Sequence, residues 1–254
     1  MPADPYLHHP ELRGRINDPH NSYFRSFRPA DLDAQMQALG YPPTWRFTDA
    51  EREANRQTFL GSRLQADLWV FAYGSLIWDP AFLFAEVRKA HVDGYTRSFC
   101  LKDTFGMRGS PEAPGLQAAL DLGTGCNGLV FRIDAANAPV ESEVVWRREA
   151  IASGYIPTFV TATTALGPVE ALTFVANHAD DAIFPDLTRA EQVRYLATGK
   201  GRMGSSRDYL ENIAAQFAVL GIEDAEVNSL VAEVQAFDQK GLAPAAAQSA
   251  TTAP

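Results

Sequence analysis

Apolar residues recur in short, strand-like runs through the middle of the chain. The runs are rich in β-branched and aromatic residues and are bounded by Gly, Pro, Asn or Asp, a pattern typical of strands. The predicted strands cover residues 68–73, 87–93, 96–101, 116–122, 128–133, 158–165 and 169–176. Several of them are only a turn apart, which favours antiparallel pairing.

Helical signals lie on both sides of this strand region, and one helix is predicted within it at about 139–150. Capping residues and glycine stops predict the others. They run from Pro29 to about Gly40, Thr48 to about Gly61, Thr188 to Ala197, Ser206 to about Leu220, and Asp224 to about Phe237. Together the patterns predict an α+β fold, a small and mostly antiparallel β-barrel ringed by helices.

The distribution of polar residues and prolines divides the chain into three parts. Residues 1–66 are polar and broken by prolines, and we interpret them as a helical N-terminal extension that packs on the main domain. The main domain covers residues 67–238. Residues 239–254 are rich in Ala, Thr and Pro, and we expect this tail to be disordered.

Composition and charge narrow the classes of partner. The 254-residue chain is 46% hydrophobic, and its formal net charge of −9 comes without a basic stripe. Such a chain is a poor ligand for nucleic acid and for anionic membranes. No signal peptide and no membrane-spanning stretch is predicted. We interpret Cys100 and Cys126 as buried free thiols and expect a cytoplasmic location.

The segment from Leu68 to Trp78 holds the first candidate site. An apolar run stops abruptly at Tyr73-Gly74-Ser75-Leu76, the pattern of a buried strand that opens into a tight loop. Gly74 lets the backbone approach a ligand closely, and Ser75 adds a hydroxyl and a backbone N–H. Taken alone, the pattern fits an ordinary corner between strand and turn better than a binding loop.

Glu149 is the second candidate, because it is an acid in the last turn of a predicted helix. Arg147 and Arg148 suit that turn, whereas the helix dipole opposes a negative charge there. The dipole and partial burial beside Trp146 would raise the pKa of Glu149, as suits a general base. The helix alone favours the alternative of a surface glutamate paired with Arg147, Arg148 or Arg132.

The two candidates together resemble the motifs of one known family. Tyr73-Gly74-Ser75-Leu76 and Trp146-Arg147-Arg148-Glu149, followed by Tyr155, are similar to the motifs of ChaC-type γ-glutamylcyclotransferases. The resemblance extends from about Leu68 to Phe237. It includes the Arg108-Gly109 loop, the Pro114-Gly115-Leu116 turn and the Tyr209-Leu210 pair.

The resemblance implies the same barrel fold and a reaction on a small-molecule substrate. The family's usual substrate is glutathione, whose α-amine attacks its own γ-carbonyl to release 5-oxoproline and Cys-Gly. Glu149 falls on the family's catalytic glutamate. The implied substrate-binding residues are Tyr73, Gly74, Ser75, Leu76, Arg108, Tyr155 and Tyr209. The alternatives are action on other γ-glutamyl amino acids or amines, and a non-catalytic regulator linked to cation transport.

Other motifs point to no further chemistry. Residues 199–204 read GxGxxG, but they follow a predicted helix, so we expect a flexible loop that could form a lid rather than a dinucleotide site. His178 with Asp180 and Asp181 fits a solvated loop better than a metal site. Ser75 lacks the GxSxG context of a hydrolase nucleophile. We therefore expect activity without a metal or cofactor.

Overall fold

The centre of the molecule is a closed barrel, seen in a computed structural model that describes residues 4–242. Its strands are β1 (Leu68–Ala72), β2 (Glu86–Asp103), β3 (Gly115–Ile133), β4 (Tyr155–Thr164) and β5 (Gly167–Ala176). The order around the barrel is β1-β3-β2-β4-β5, and β5 closes it through parallel pairs with β1 and β3. The other pairings are antiparallel, so the predicted mostly antiparallel barrel is confirmed.

The predicted break between residues 87–93 and 96–101 is wrong, because both runs belong to β2. Gly94 has a φ of +79° and lies at a register shift in the ladder with β3. A glycine in the left-handed region at such a shift is a β-bulge, which bends a strand without ending it. The glycine that resembles a turn signal in the sequence therefore keeps β2 continuous around the barrel.

The predicted break between residues 116–122 and 128–133 is also wrong, because both runs belong to β3. A Cβ added at Gly123 or Gly125 would lie 2.5–2.6 Å from a side chain of β2. These glycines therefore leave room for side chains of β2 inside the long β2–β3 hairpin, and they do not mark a turn.

The helices surround the barrel. They are α1 (Tyr23–Ser26), α2 (Asp33–Ala38), α3 (Asp49–Leu60), α4 (Ala138–Glu149), α5 (Arg189–Thr198), α6 (Ser206–Leu220) and α7 (Ala225–Leu242). The predicted helix at Pro29 splits into a 3₁₀ turn, Pro29–Leu32, and α2. Among residues 4–242, no helix is both long and apolar enough to cross a membrane.

The first residues of the predicted disordered tail are helical. Helix α7 continues past Phe237 to Leu242, so residues 239–242 are helical rather than disordered. The rest of the predicted tail, residues 243–254, lies outside the described residues.

Helix α4 lies between the barrel and the N-terminal extension, which is helical as expected. The ring of Trp146 packs 5.6 Å from Phe174 of β5 and 5.6 Å from Phe59 of α3. Arg25 forms a bidentate ion pair with Glu141 of α4, at 2.8 and 2.9 Å. The extension is therefore held against the domain by apolar contacts and by charge-assisted hydrogen bonds.

Candidate active site

A cavity of about 650 Å³ opens at one end of the barrel, where β1, β2 and β5 end and β3 and β4 begin. Sites for small molecules usually measure roughly 300–1,000 Å³. The residues predicted for the site that line this cavity are Tyr73, Gly74, Ser75, Leu76, Glu149, Tyr155 and Tyr209. The fold thus brings together the two sequence candidates, the loop after β1 and the end of α4, although 72 residues separate them.

Two buried hydrogen bonds fix the loop that follows β1. The Tyr73 hydroxyl donates to the carbonyl of Phe174 at 2.8 Å. The carbonyl of Tyr73 accepts from Nε of Arg97 at 2.7 Å. Arg97 is itself buried and ion-paired with Asp224. No motif marks Arg97, whose position on β2 resembles that of many strand arginines.

Close packing, rather than a left-handed backbone, is what requires a glycine at position 74. Its φ is −128°, which any residue can adopt, so a left-handed conformation plays no part. A Cβ at this position would lie 2.5 Å from the hydroxyl of Tyr209. The absent side chain therefore leaves room for the Tyr209 hydroxyl beside the loop.

Glu149 is the last residue of α4, and its side chain is only 15% exposed. Its Oε1 lies 3.0 Å from Nε of Arg148. Burial raises the pKa of Glu149 and the Arg148 charge lowers it, with burial the larger effect. Each of the two alternatives for Glu149 is therefore correct in part. Glu149 is paired with Arg148, as a surface glutamate would be, but it is also a desolvated acid with a raised pKa.

Arg148 connects three parts of the site. Its Nη2 donates to the hydroxyl of Ser75 at 2.7 Å, and its Nη1 donates to the carbonyl of Asp79. Its Cζ lies 4.1 Å from the ring centroid of Phe24, in the extension. Arg148 therefore holds the end of α4, the loop and the extension together. From the sequence, Arg148 was visible only as a partner for the helix dipole or for Glu149.

Two further tyrosines meet at Ala118 on β3. The hydroxyl of Tyr155 donates to the Ala118 carbonyl at 3.2 Å, and the hydroxyl of Tyr209 accepts from the Ala118 N–H at 3.3 Å. Burial raises the pKa of both tyrosines, that of Tyr209 to about 12, and the charge of Glu149 adds to the effect. Both hydroxyls therefore keep their protons at neutral pH, and the proton of Tyr209 is not used by Ala118.

The structure does not place Arg108 on the lining of the cavity, although its neighbour Met107 is there. The Cζ of Arg108 lies 5.6 Å from the ring centroid of Tyr209. Burial lowers the pKa of Arg108. Arg108 thus contacts the site through Tyr209 rather than directly.

A buried carboxylate that sequence reasoning missed organises the loop around Arg108. Asp103 is fully buried and accepts the backbone N–H groups of Phe105, at 2.9 Å, and of Arg108. Burial raises the pKa of Asp103, and these hydrogen bonds oppose the rise. An aspartate at a strand end resembles an ordinary turn residue, so the sequence carried no signal of this role.

The GxGxxG segment forms a two-stranded ribbon, β6 (Lys200–Gly201) and β7 (Gly204–Ser205), between α5 and α6. The N–H of Met203 donates to the carbonyl of Met107 at 2.8 Å, so the ribbon packs on the loop after β2. Its residues do not line the cavity, and the expectation of a lid is wrong. The segment follows a helix, whereas a dinucleotide fingerprint follows a strand, so its context fits the prediction that it is not such a fingerprint.

His178 pairs with Asp121, at 2.9 Å from its Nε2, rather than with the two aspartates that follow it. Across residues 4–242, no group of three His, Cys, Asp or Glu side chains is arranged to hold a metal ion.

The chain is similar to one family of known proteins over most of its length. The model of the ChaC-like protein family matches residues 68–237. The chain belongs to the ChaC-like family. The glutathione-specific gamma-glutamylcyclotransferase of Escherichia coli is 32% identical over 173 residues, which cover 67% of this chain and 74% of that relative.

A further relative and a solved structure carry similar names. The human glutathione-specific gamma-glutamylcyclotransferase 1 is 30% identical over 58% of this chain and 68% of its own length. The crystal structure of the glutathione-specific enzyme from yeast superimposes with a TM-score of 0.63 at 20% identity, covering 68% of this chain and 97% of that one. At this identity the yeast structure supports the fold alone.

The ChaC-like match begins at Leu68, yet part of the cavity lining comes from before it. The residues of the extension that line the cavity are Phe24, Leu32, Met36, Tyr41, Pro42 and Trp45. No role for this segment could be predicted, because its polar pattern, interrupted by prolines, matches no motif.

Proposed function

We propose that this protein is a γ-glutamylcyclotransferase, a lyase that cleaves glutathione to 5-oxoproline and Cys-Gly. The observation that carries the proposal is the desolvated carboxylate of Glu149 in a cavity shared with the loop after β1. The names of the ChaC-like relatives support the same reaction. A desolvated carboxylate with a raised pKa accepts protons well near neutral pH.

In the proposed reaction the α-amine nitrogen of the glutamyl group attacks its own γ-carbonyl carbon. A new C–N bond closes the five-membered lactam, and the amide C–N bond to cysteine breaks. Glu149 takes one proton from the α-ammonium group, and the attacking nitrogen loses a second proton to solvent as the C–N bond forms. Glu149 then returns its proton to the leaving nitrogen, so that lactam and amine are both neutral. Nucleophile and electrophile belong to one molecule, and effective molarities for well-oriented reactions of this kind reach roughly 10⁵–10⁸ M.

We assign the developing oxyanion to the loop after β1. The hydrogen bonds of its 3₁₀ turn begin at the N–H of Ile77, so the N–H groups of Ser75 and Leu76 have no partner within the turn. Backbone N–H groups held in a buried loop stabilise such a charge effectively. The free proton of the Tyr209 hydroxyl is a further donor for the substrate.

Lys102 is a better candidate than Arg108 for a substrate carboxylate. Among the described residues that line the cavity, Lys102 and Arg148 are the ones with a positive charge. Arg148 is already engaged with Glu149 and Ser75. We therefore assign the terminal carboxylate of glutathione to Lys102.

We also propose a cytoplasmic location and a domain boundary near residue 67. The location rests on the buried, unpaired thiols of Cys100 and Cys126, since such thiols are typical of reducing compartments. The boundary rests on the start of the ChaC-like match at residue 68.

The test is incubation of the full-length protein with glutathione, followed by mass spectrometry. We expect 5-oxoproline and Cys-Gly in equal amounts, increasing with enzyme concentration. Release of glutamate instead of 5-oxoproline would show hydrolysis, and absence of any cleavage would favour the non-catalytic alternative. Either result would contradict the proposal.

A further inference from the structure

The extension gives the cavity an apolar wall. Its lining residues, named above, include Phe24, Met36, Tyr41 and Trp45, and none of its six lining residues is charged. Phe105, Met107 and Ile151 of the domain pack against the same cluster. The extension therefore contributes an apolar and aromatic surface to the cavity, and this surface meets Arg148 at Phe24.

This wall is held in place by specific contacts. The amide of Gln35 donates to the carbonyl of Phe105 at 2.6 Å, and the hydroxyl of Tyr41 lies 3.2 Å from Oγ1 of Thr104. The N–H of Phe47 donates to the carbonyl of Ile151, two residues after Glu149, at 2.9 Å. The wall is thus joined to the segments on both sides of the catalytic machinery.

Glutathione itself offers little to such a surface. Its amine, carboxylates and amide groups are polar, and its thiol is small. A substrate gains affinity from an apolar pocket in proportion to the apolar area that it buries there. The wall therefore suits a substrate in which the part released from the glutamyl group carries a bulky apolar substituent.

We infer that the preferred substrates are γ-glutamyl amides whose leaving amine bears a large apolar or aromatic group, seated against the wall formed by residues 24–45. This inference rests on the proposed function, because it keeps the same cyclisation and adds the identity of the leaving part. Two sources share this chemistry, namely glutathione S-conjugates and γ-glutamyl derivatives of apolar amino acids.

The test uses two matched pairs of substrates. S-benzylglutathione is compared with S-methylglutathione, and γ-glutamylphenylalanine with γ-glutamylalanine, by kcat/KM for 5-oxoproline release. We expect the bulky member to exceed the small member by about tenfold or more, since even one methylene is worth roughly 10- to 200-fold. A preference in the first pair alone identifies S-conjugates, and one in the second pair alone identifies amino acid derivatives. Equal values in both pairs, or a preference for the small members, overturn the inference.

A variant of the wall links the preference to the extension. Trp45→Ala removes a half-buried aromatic side chain from the lining. It is expected to lower the benzyl-to-methyl ratio about tenfold or more, the low end of the value of one methylene in an apolar pocket. Phe59→Ala is the matched control, because Phe59 is a half-buried aromatic of the same extension outside the lining. A ratio that falls equally in both variants contradicts the role of the wall.

Binding without turnover separates this inference from the proposed reaction. Calorimetry with Glu149→Gln compares the affinities for S-benzylglutathione and S-methylglutathione. Tighter binding of the benzyl compound by about tenfold supports the apolar wall even if wild-type protein releases no 5-oxoproline. Equal affinities contradict the wall even if glutathione is cleaved.

Discussion

The two sides of the cavity are built differently. The side formed by the loop after β1 and the end of α4 is charged, and its polar groups are engaged with one another, as between Arg148 and both Glu149 and Ser75. The side formed by residues 24–45 is apolar and contributes shape. The first side belongs to the segment that matches the ChaC-like family, and the second lies before it.

We therefore assign the reaction to the polar side and the selection of substrates to the apolar side. Cyclisation requires a proton acceptor and donors for an oxyanion, and in our proposal the polar side supplies both. Selection among γ-glutamyl compounds depends on the leaving part, which the apolar side contacts in our proposal. Changes on the polar side should therefore lower turnover of every substrate, whereas changes on the apolar side should alter the choice between substrates.

The largest effect is expected from Glu149→Gln, which keeps the shape of the side chain but cannot accept a proton. General-base catalysis typically contributes about 10²–10⁴-fold, so kcat for 5-oxoproline release should fall by at least that factor. The same loss should appear with each γ-glutamyl substrate. A variant with wild-type kcat would show that Glu149 is not the base.

The stability of Glu149→Gln provides its control. The raised pKa of Glu149 means that the folded protein holds this proton more tightly than the unfolded chain. The ionised carboxylate therefore destabilises the fold once the pH exceeds the ordinary glutamate pKa. The Gln variant should be at least as stable as wild type at pH 7 in urea unfolding, and the difference should shrink below that ordinary pKa. A marked loss of stability at pH 7 would mean that the Arg148 pair outweighs the cost of burial.

A large effect is also expected from Gly74→Val, because its Cβ would displace the hydroxyl of Tyr209. Ser75→Ala should be milder, since its backbone N–H remains and one charge-assisted hydrogen bond from Arg148 is lost, at about 1.5–3 kcal/mol. The measurement is kcat/KM on glutathione, with circular dichroism as a check of folding. An inactive Ser75→Ala beside a fully active Gly74→Val would point to a serine nucleophile instead.

Arg148→Ala should change the pH dependence as well as the rate. The Arg148 charge lowers the pKa of Glu149, so its removal raises that pKa further. The base form of Glu149 is then lost at a higher pH, and the acid limb of the kcat/KM profile should move upward. Arg147→Ala serves as the matched control, because Arg147 pairs with Glu143 on the same helix. An unchanged acid limb in Arg148→Ala would contradict the pairing with Glu149.

The smallest effect on turnover of glutathione is expected from Gly106→Ala, which acts on the apolar side. Gly106 has a φ of +95°, and a Cβ there would collide with the amide of Gln35. Strain of this kind costs about 1–3 kcal/mol, which should appear as a lower unfolding temperature. Gly167→Ala is a control with a φ of +105° but open space around the Cβ. Equal losses of stability would mean that the contact with Gln35 contributes nothing.

The polar side of the cavity could be predicted from the sequence better than the apolar side. The strands, most of the helices and the two motifs of the polar side were visible as local patterns. A raised pKa of Glu149 was expected from the helix dipole and from partial burial, and burial is the cause that the structure shows. The continuity of β2 and β3 was not visible, because glycines such as Gly94 look like turn residues until their strand partners are known. The contributions of Arg97 and Asp103 depend on burial and on distant partners.

The apolar side was not predictable for a related reason. Phe24, Met36 and Trp45 are separated by polar residues and become a continuous surface only when the extension folds onto the loop after β2. Their spacing matches neither a helix face nor a strand face, so no periodicity marks them. In this protein the residues proposed for the chemistry lie in local motifs, whereas those proposed for selectivity are scattered along the chain and come together only in the fold.

The most direct test of the central claim is a titration of the Glu149 carboxyl by ¹³C NMR. Comparison of wild type with Glu149→Gln identifies the resonance, and the shift is followed with pH. The account predicts a midpoint clearly above the ordinary glutamate value of 4.5, since burial outweighs the charge of Arg148. A midpoint at or below 4.5 would show that the ion pair dominates and that Glu149 is not the desolvated base of this site.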